Sequence, residues 1–212
     1  MIGRLSRVGA WLLPGRACQG LPVAVEAGEP GSLPGPWPAG MALAMHSREE
    51  REGRTATADL LDRFKYAGER TLAPLLGRAL AEAVRSRPGF EQVEAVVHVP
   101  ATTRRPRVEP ACDLAREVAK ALRVRCLPGL VARTREMEHQ KDIVRWAEKT
   151  ENVRGAFRVR RPEFLRGRKL LLVDDVYDSG ATLEEAWRTV MQAGAREVVV
   201  AAITRTRYRR EA

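Results

Sequence analysis

From Ala56 onward, apolar positions spaced for helices alternate with short β-branched runs, the pattern of an α/β chain. Leu60, Leu61 and Phe64 share one face of a first helix, which breaks at Lys65-Tyr66-Ala67-Gly68. A second follows, capped by Thr71 and tolerating Pro74 in its first turn. Its stripe of Leu72, Leu75, Leu76, Ala79, Leu80, Ala83 and Val84 ends before Pro88-Gly89. Val93 to Val99 reads as a buried strand stopped by Pro100. After the loop PATTRRPRVE, Pro110 opens a helix lined by Ala111, Leu114, Val118, Ala119 and Leu122, and Arg125 to Val131 reads as one shorter strand. Ala132 to Thr150 is charged and weakly patterned, and is expected to be a mobile excursion; Asn152 to Val159 is expected to be extended. Lys169 to Asp174 is the most apolar strand and belongs at the centre of a parallel sheet. A helix over Leu183 to Gln192, closed by Gly194, and a strand over Glu197 to Ile203 complete the series. The expected architecture is a central, mainly parallel sheet flanked by helices.

The beginning of the chain lacks either period. Residues 19–40 are dense in Gly and Pro, so residues 1–40 are assigned to an irregular arm and residues 41–212 to the folded domain. The basic start and short apolar stretch of the first residues suggest an export signal, but Gly9, Pro14 and Arg16 interrupt it, and a cytoplasmic location is expected. No uncharged apolar run reaches the roughly 18 residues of a membrane span. Cys18, Cys112 and Cys126 are far apart and odd in number, which supports neither a disulfide framework nor a complete zinc site, and no metal ligands are assigned from the sequence. The net charge of +10 suits nucleic acid and phosphorylated substrates alike. Only 5% of residues are aromatic and none interleaves a basic run as in a single-strand stacking platform, so a basic solvated surface is preferred.

The chemistry concentrates in Val173 to Thr182, VDDVYDSGAT, where the most apolar strand turns into a helix. Ligands of parallel sheets sit at the carboxyl ends of strands beside helix N-termini. Gly180 and Ala181 admit a phosphate close to backbone N–H groups, Ser179 and Thr182 add hydroxyls, and the helix dipole favours the anion. Two adjacent carboxylates repel phosphate but accept hydrogen bonds from vicinal ribose hydroxyls, the part suited to Asp174 and Asp175.

These residues resemble the signature of the type I phosphoribosyltransferases, which bind 5-phosphoribosyl-1-pyrophosphate (PRPP). The resemblance implies that fold, with a flexible hood over the site. It implies that Asp174 and Asp175 bind the ribose, that Asp178, Ser179, Gly180, Ala181 and Thr182 hold the 5-phosphate, and that Ala101, Thr102, Thr103, Arg104 and Arg105 in the loop after the first strand bind pyrophosphate. Arg104 and Arg105 also read as a solvated basic turn. Asp178 stands where purine-salvage members keep an Asp that acts on a base ring nitrogen; a catalytic role and a loop-shaping role both stay open. The charged excursion would supply the hood, with His139 an exposed loop residue.

Phe64-Lys65-Tyr66, VVHVPATTRR, Arg133, Gln140 and Asn152 to Phe157 (NVRGAF) are similar to the competence protein ComF branch, over residues 60–204. Two departures stand out: Cys18 alone occupies the place of that branch's four-cysteine zinc module, and Arg107-Val108-Glu109-Pro110-Ala111 replaces its RGFNQ stretch. The implied activity is transfer of a 5-phosphoribosyl group to a nitrogenous acceptor with release of pyrophosphate, Mg²⁺ entering with PRPP. The alternatives are a non-catalytic PRPP- or nucleotide-binding accessory protein of DNA uptake, with single-stranded DNA or the uptake machinery as partner, and a purine-base salvage transferase. The basic tail Arg205, Arg207, Arg209 and Arg210 is compatible with DNA. The acceptor base and the oligomeric state are not encoded in any recognisable pattern.

Overall fold

A computed structural model describes residues 31–47, 53–101, 109–134 and 146–206. Five parallel strands form its centre: β1 (Gly40–Met45), β2 (Ala95–His98), β3 (Arg125–Cys126), β6 (Lys169–Tyr177) and β7 (Glu197–Arg205), in the order β1-β7-β6-β2-β3. Parallel pairing buries both faces of a strand, and LLLV of β6 and VVVAAI of β7 supply apolar side chains to both. Leu171, Val173, Val199, Ala201 and Ile203 point to one face. There they meet α1 (Ala56–Tyr66), α2 (Leu72–Arg85) and α3 (Pro110–Leu122). Leu170, Leu172, Val198, Val200 and Ala202 point to the other, against α5 (Ala181–Gln192).

This connectivity fixes where a ligand can enter. From β2 the chain runs through α3 outward to β3; from β6 it runs through α5, on the opposite face, outward to β7. The strand order therefore reverses between β2 and β6, and the two connections diverge at their carboxyl ends, leaving a crevice. Asp174 and Asp175 stand there on β6, and Pro100-Ala101 follow β2.

Two expectations are corrected. Arg125 to Val131 is not one strand: β3 ends at Cys126, and after the turn at Pro128-Gly129 a separate strand, β4 (Val131–Arg133), pairs antiparallel with β5 (Phe157–Val159). The expected excursion closes with a helix, α4 (Trp146–Val153), so Asn152 and Val153 are helical rather than extended. Its turn is fixed by Gly155, which adopts φ 66° and donates its N–H to Glu185 at 2.7 Å. Before Ala56, β1 forms without alternation, because pairing with β7 and burial on both faces select an apolar run. Leu33 and Trp37, within the Gly/Pro-rich stretch, are buried in the core. No described helix is long and apolar enough to cross a membrane.

Candidate functional site

At the end of β6 the two adjacent carboxylates differ in surroundings. Asp174 is partly buried, and loss of solvent around its carboxyl together with the neighbouring Asp175 pushes it up to about 7. Its Oδ1 accepts the Asp175 backbone N–H at 2.8 Å. Asp175 meets Lys65, at the end of α1, with Nζ to Oδ2 at 2.7 Å and both side chains largely buried. Burial works against the Lys65 ammonium, but Asp175 and Asp174 outweigh it and raise its pKa. The pair of acids expected to receive ribose hydroxyls is thus held beside a cation that competes for one of them.

The following turn contains the phosphate cradle. Gly180 adopts φ 85°, and a Cβ there would lie 2.5 Å from the Tyr177 hydroxyl, so the position admits glycine alone without strain. Tyr177 points away from the crevice: its hydroxyl donates to Pro34 O at 2.7 Å and its ring meets Trp37 edge-on. Ser179 is buried and its Oγ accepts the Ala181 N–H at 3.4 Å, a long contact that an anion at the helix start would compete with. Ala181 and Thr182 open α5, whose N-terminus faces this turn.

Asp178 bridges three elements. Its Oδ2 receives Lys149 Nζ of α4 at 2.8 Å and its Oδ1 receives the Thr206 hydroxyl, just past β7, at 2.7 Å. Burial alone would raise its pKa, but hydrogen bonds from Lys149 and Thr206 reverse this and hold the carboxyl below the ordinary carboxylate value, so Asp178 is an anion at neutral pH. On the β2 side, Arg133 of β4 donates from Nε to Pro100 O at 3.1 Å and Ala101 O at 2.7 Å, with its guanidinium over the Phe157 ring. Burial lowers Arg133 to about 10, which leaves it charged at neutral pH.

The structure therefore brings Ala101, Asp174, Asp175, Asp178, Ser179, Gly180, Ala181 and Thr182 to one end of the sheet. Thr102, Thr103, Arg104 and Arg105 lie outside the described residues, as do Cys18, His139, Gln140, Arg207, Arg209 and Arg210. Lys149 and Thr206 were not identified from the sequence, and Lys65 and Arg133 only as members of similar segments. Lys149 had a signal: it precedes Val153 by four residues, which places it on the buried face of any helix through both.

Residues 111–212 match the family model of the phosphoribosyl transferase domain. The matched stretch includes the turn from Val173 to Thr182, α4 and the β4–β5 ribbon, while β1 and β2 precede it in the chain and pair into the same sheet as β6 and β7. Among curated proteins none matches the sequence. Solved structures similar to the chain include glutamine PRPP amidotransferase from B. subtilis, 20% identical, covering 63% of this chain and 26% of that one with a TM-score of 0.44. Adenine phosphoribosyl transferase from Trypanosoma brucei is 14% identical, with 66% and 55% covered and a TM-score of 0.44. For UMP synthase from Leishmania donovani the values are 16%, 74%, 27% and 0.40. The chain thus spans about a quarter of the amidotransferase's length.

Proposed function

We propose that the crevice between the carboxyl ends of β2 and β6 binds PRPP, and that the chain transfers its 5-phosphoribosyl group to a nitrogenous acceptor. The observation that carries this reading is the juxtaposition at the switch point of two carboxylates with a glycine turn feeding the N-terminus of α5. In this reading Asp174 and Asp175 accept hydrogen bonds from the ribose hydroxyls, with Lys65 released from Asp175 toward the diphosphate. Asp178 to Thr182 hold the 5-phosphate, and Ala101 to Arg105 hold the pyrophosphate, their start steadied by Arg133.

In the reaction the bond from ribose C1 to the pyrophosphate oxygen breaks and a bond from C1 to the acceptor nitrogen forms, through an oxocarbenium-like transition state. The carboxylates of Asp174 and Asp175 are hard oxygen donors that would suit a Mg²⁺ brought in with PRPP, and such an ion would supply charge neutralisation for the diphosphate leaving group. In this scheme Asp178 is the catalytic base that accepts the acceptor's nitrogen proton; Lys149 and Thr206 orient its carboxylate and lower its basicity. The similarity over Phe64 to Tyr66 and Asn152 to Phe157 is what supports reading the chain as a ComF-like protein, for which we propose a cytoplasmic location.

Calorimetric titration with PRPP and Mg²⁺, followed by pyrophosphate release with a panel of purine and pyrimidine bases, tests the reading. Binding with release on one base supports the transferase. Release on adenine, guanine or hypoxanthine alone identifies purine salvage. Binding with silence on every base favours a PRPP-binding accessory protein, and a salt-titrated single-strand DNA assay then tests the competence role. Absence of PRPP binding overturns the assignment.

A further inference from the structure

Beside the crevice, on the α3 side, three side chains of metal-ligating type converge: His98 at the end of β2, Glu109 at the N-cap of α3 and Cys112 in its first turn. One ligand atom from each, the imidazole nitrogen, a carboxylate oxygen and the thiol sulfur, lies within 4.8 Å of both others. We propose that they form a divalent-metal site of zinc type, a site that stands independently of the PRPP reading.

The histidine is prepared for this role by its hydrogen bonds. Its Nδ1 contacts Val99 O at 3.3 Å, and a carbonyl can only accept, so Nδ1 carries the proton. Nε2 is then the lone-pair nitrogen; it accepts a long N–H contact from Gly129 at 3.3 Å and lies 3.9 Å from a Glu109 carboxylate oxygen. A neutral imidazole with one nitrogen tied to a backbone carbonyl and the other directed at a carboxylate and a thiol has the arrangement of a metal ligand with its outer partner. The Glu109 contact is not an ion pair in this tautomer, since His98 is uncharged and burial lowers its pKa further.

Geometry is close to what a small cation needs. A tetrahedron with metal–ligand bonds of about 2.0 to 2.3 Å has edges of roughly 3.3 to 3.7 Å, so the longest separation must close by at most about 1.5 Å. Glu109 supplies that movement, its side chain being 44% exposed while His98 and Cys112 are buried. Thiolate and imidazole select zinc over magnesium, so this site does not duplicate the oxygen-rich place of the substrate-borne Mg²⁺. Binding removes the Cys112 proton and displaces the Gly129 contact, and water completes the coordination. Its consequence is positional. The ligands flank the loop expected to hold pyrophosphate, so the metal would staple the end of β2 to the start of α3.

Titration of the chelator-treated full chain with Co²⁺ tests the site. The expected result is a thiolate-to-cobalt charge-transfer band with the visible absorption of a four-coordinate ion, saturating at about one metal per chain and reversed by Zn²⁺. Cys112→Ser should abolish the band. Glu109→Gln, a change at a half-exposed side chain, should weaken Co²⁺ binding by about tenfold or more. Should Cys112→Ser fail to fold by circular dichroism, the Cys18→Ser/Cys126→Ser chain, whose one thiol is Cys112, gives the decision: a retained band supports the site, a lost band overturns it. The proposal also falls if the native chain shows no thiolate band, or if the band persists in a folded Cys112→Ser.

Discussion

Asp174 and Gly180 each trade stability for the site. Asp174 has a pKa of about 7 in the folded chain, against the ordinary value of 3.8, so folding favours its protonated form. For an acid raised in this way the stability is greatest below the unfolded value, declines as pH rises from about 4 to about 7, and stays reduced above. Asn keeps the carbonyl that accepts the Asp175 N–H, so Asp174→Asn should melt higher than the native chain at pH 8 by up to a few kcal/mol, at about 1.4 per pKa unit, and the gain should vanish near pH 4. The same variant should lose PRPP affinity, because the ribose loses a carboxylate. Paired melting curves and PRPP titrations at the two pH values check both halves. Gly180→Ala should lose on both counts: about 1–2 kcal/mol for the left-handed backbone, before any displacement of the Tyr177 hydroxyl, and PRPP binding as the cradle distorts.

Among the elements, α4 and the β4–β5 ribbon tie the site together, and they were the least legible in sequence. Besides the burial of Val131, Val153 and Phe157, their docking includes polar contacts from distant positions: Gly155 N–H on Glu185, the Thr134 hydroxyl on Gly155 O, and Lys149 on Asp178. Such partners lie roughly 20 to 30 positions apart in the chain, and no local periodicity reports them. β6, α2 and α3 were legible because a two-sided buried strand and an amphipathic stripe each leave a pattern within one element. The same contrast divides the site. Asp174 to Thr182 form one contiguous turn and could be assigned roles, whereas Lys65, Arg133, Lys149 and Thr206 reach it from four separate elements. Lys149→Met tests the reach of α4. Asp178 is depressed below 3.8 in the folded chain, so its contribution is present at neutral pH and disappears as pH falls through the folded value. The variant should lose on the order of 1 kcal/mol at pH 7, a modest figure because the Asp178 carboxylate is partly in solvent, and the native–variant difference should shrink below pH 4. Urea unfolding across this pH range measures it.

For the molecule as a whole, the sheet places two apolar layers back to back and keeps the polar chemistry at one end, where the chain switches direction between β2 and β6. The phosphate turn hangs over the α5-side layer, and its underside is covered by the Gly/Pro-rich stretch before β1. Trp37 packs edge-on against Tyr177 and donates from its indole N–H to Leu33 O at 2.8 Å, while Tyr177 donates to Pro34. Residues 31–39 are held by the Ser32–Met41 bridge, by Arg205 on Ser32 O and by these two rings, and Tyr177 fills the space beneath Gly180. Removing the large ring should therefore act at a distance. Trp37→Ala should cost about 3–5 kcal/mol, the range for deleting a buried aromatic, and should weaken PRPP binding although Trp37 touches no ligand-facing group. Tyr177→Phe keeps the ring contact and the space under Gly180 and removes the hydrogen bond to Pro34 O, so it should cost about 1 kcal/mol and leave PRPP affinity near native. Chemical denaturation and PRPP titration of the two variants side by side separate support of the turn from general destabilisation: equal affinities in folded Trp37→Ala and Tyr177→Phe would mean that the N-terminal stretch stabilises the fold without shaping the phosphate site.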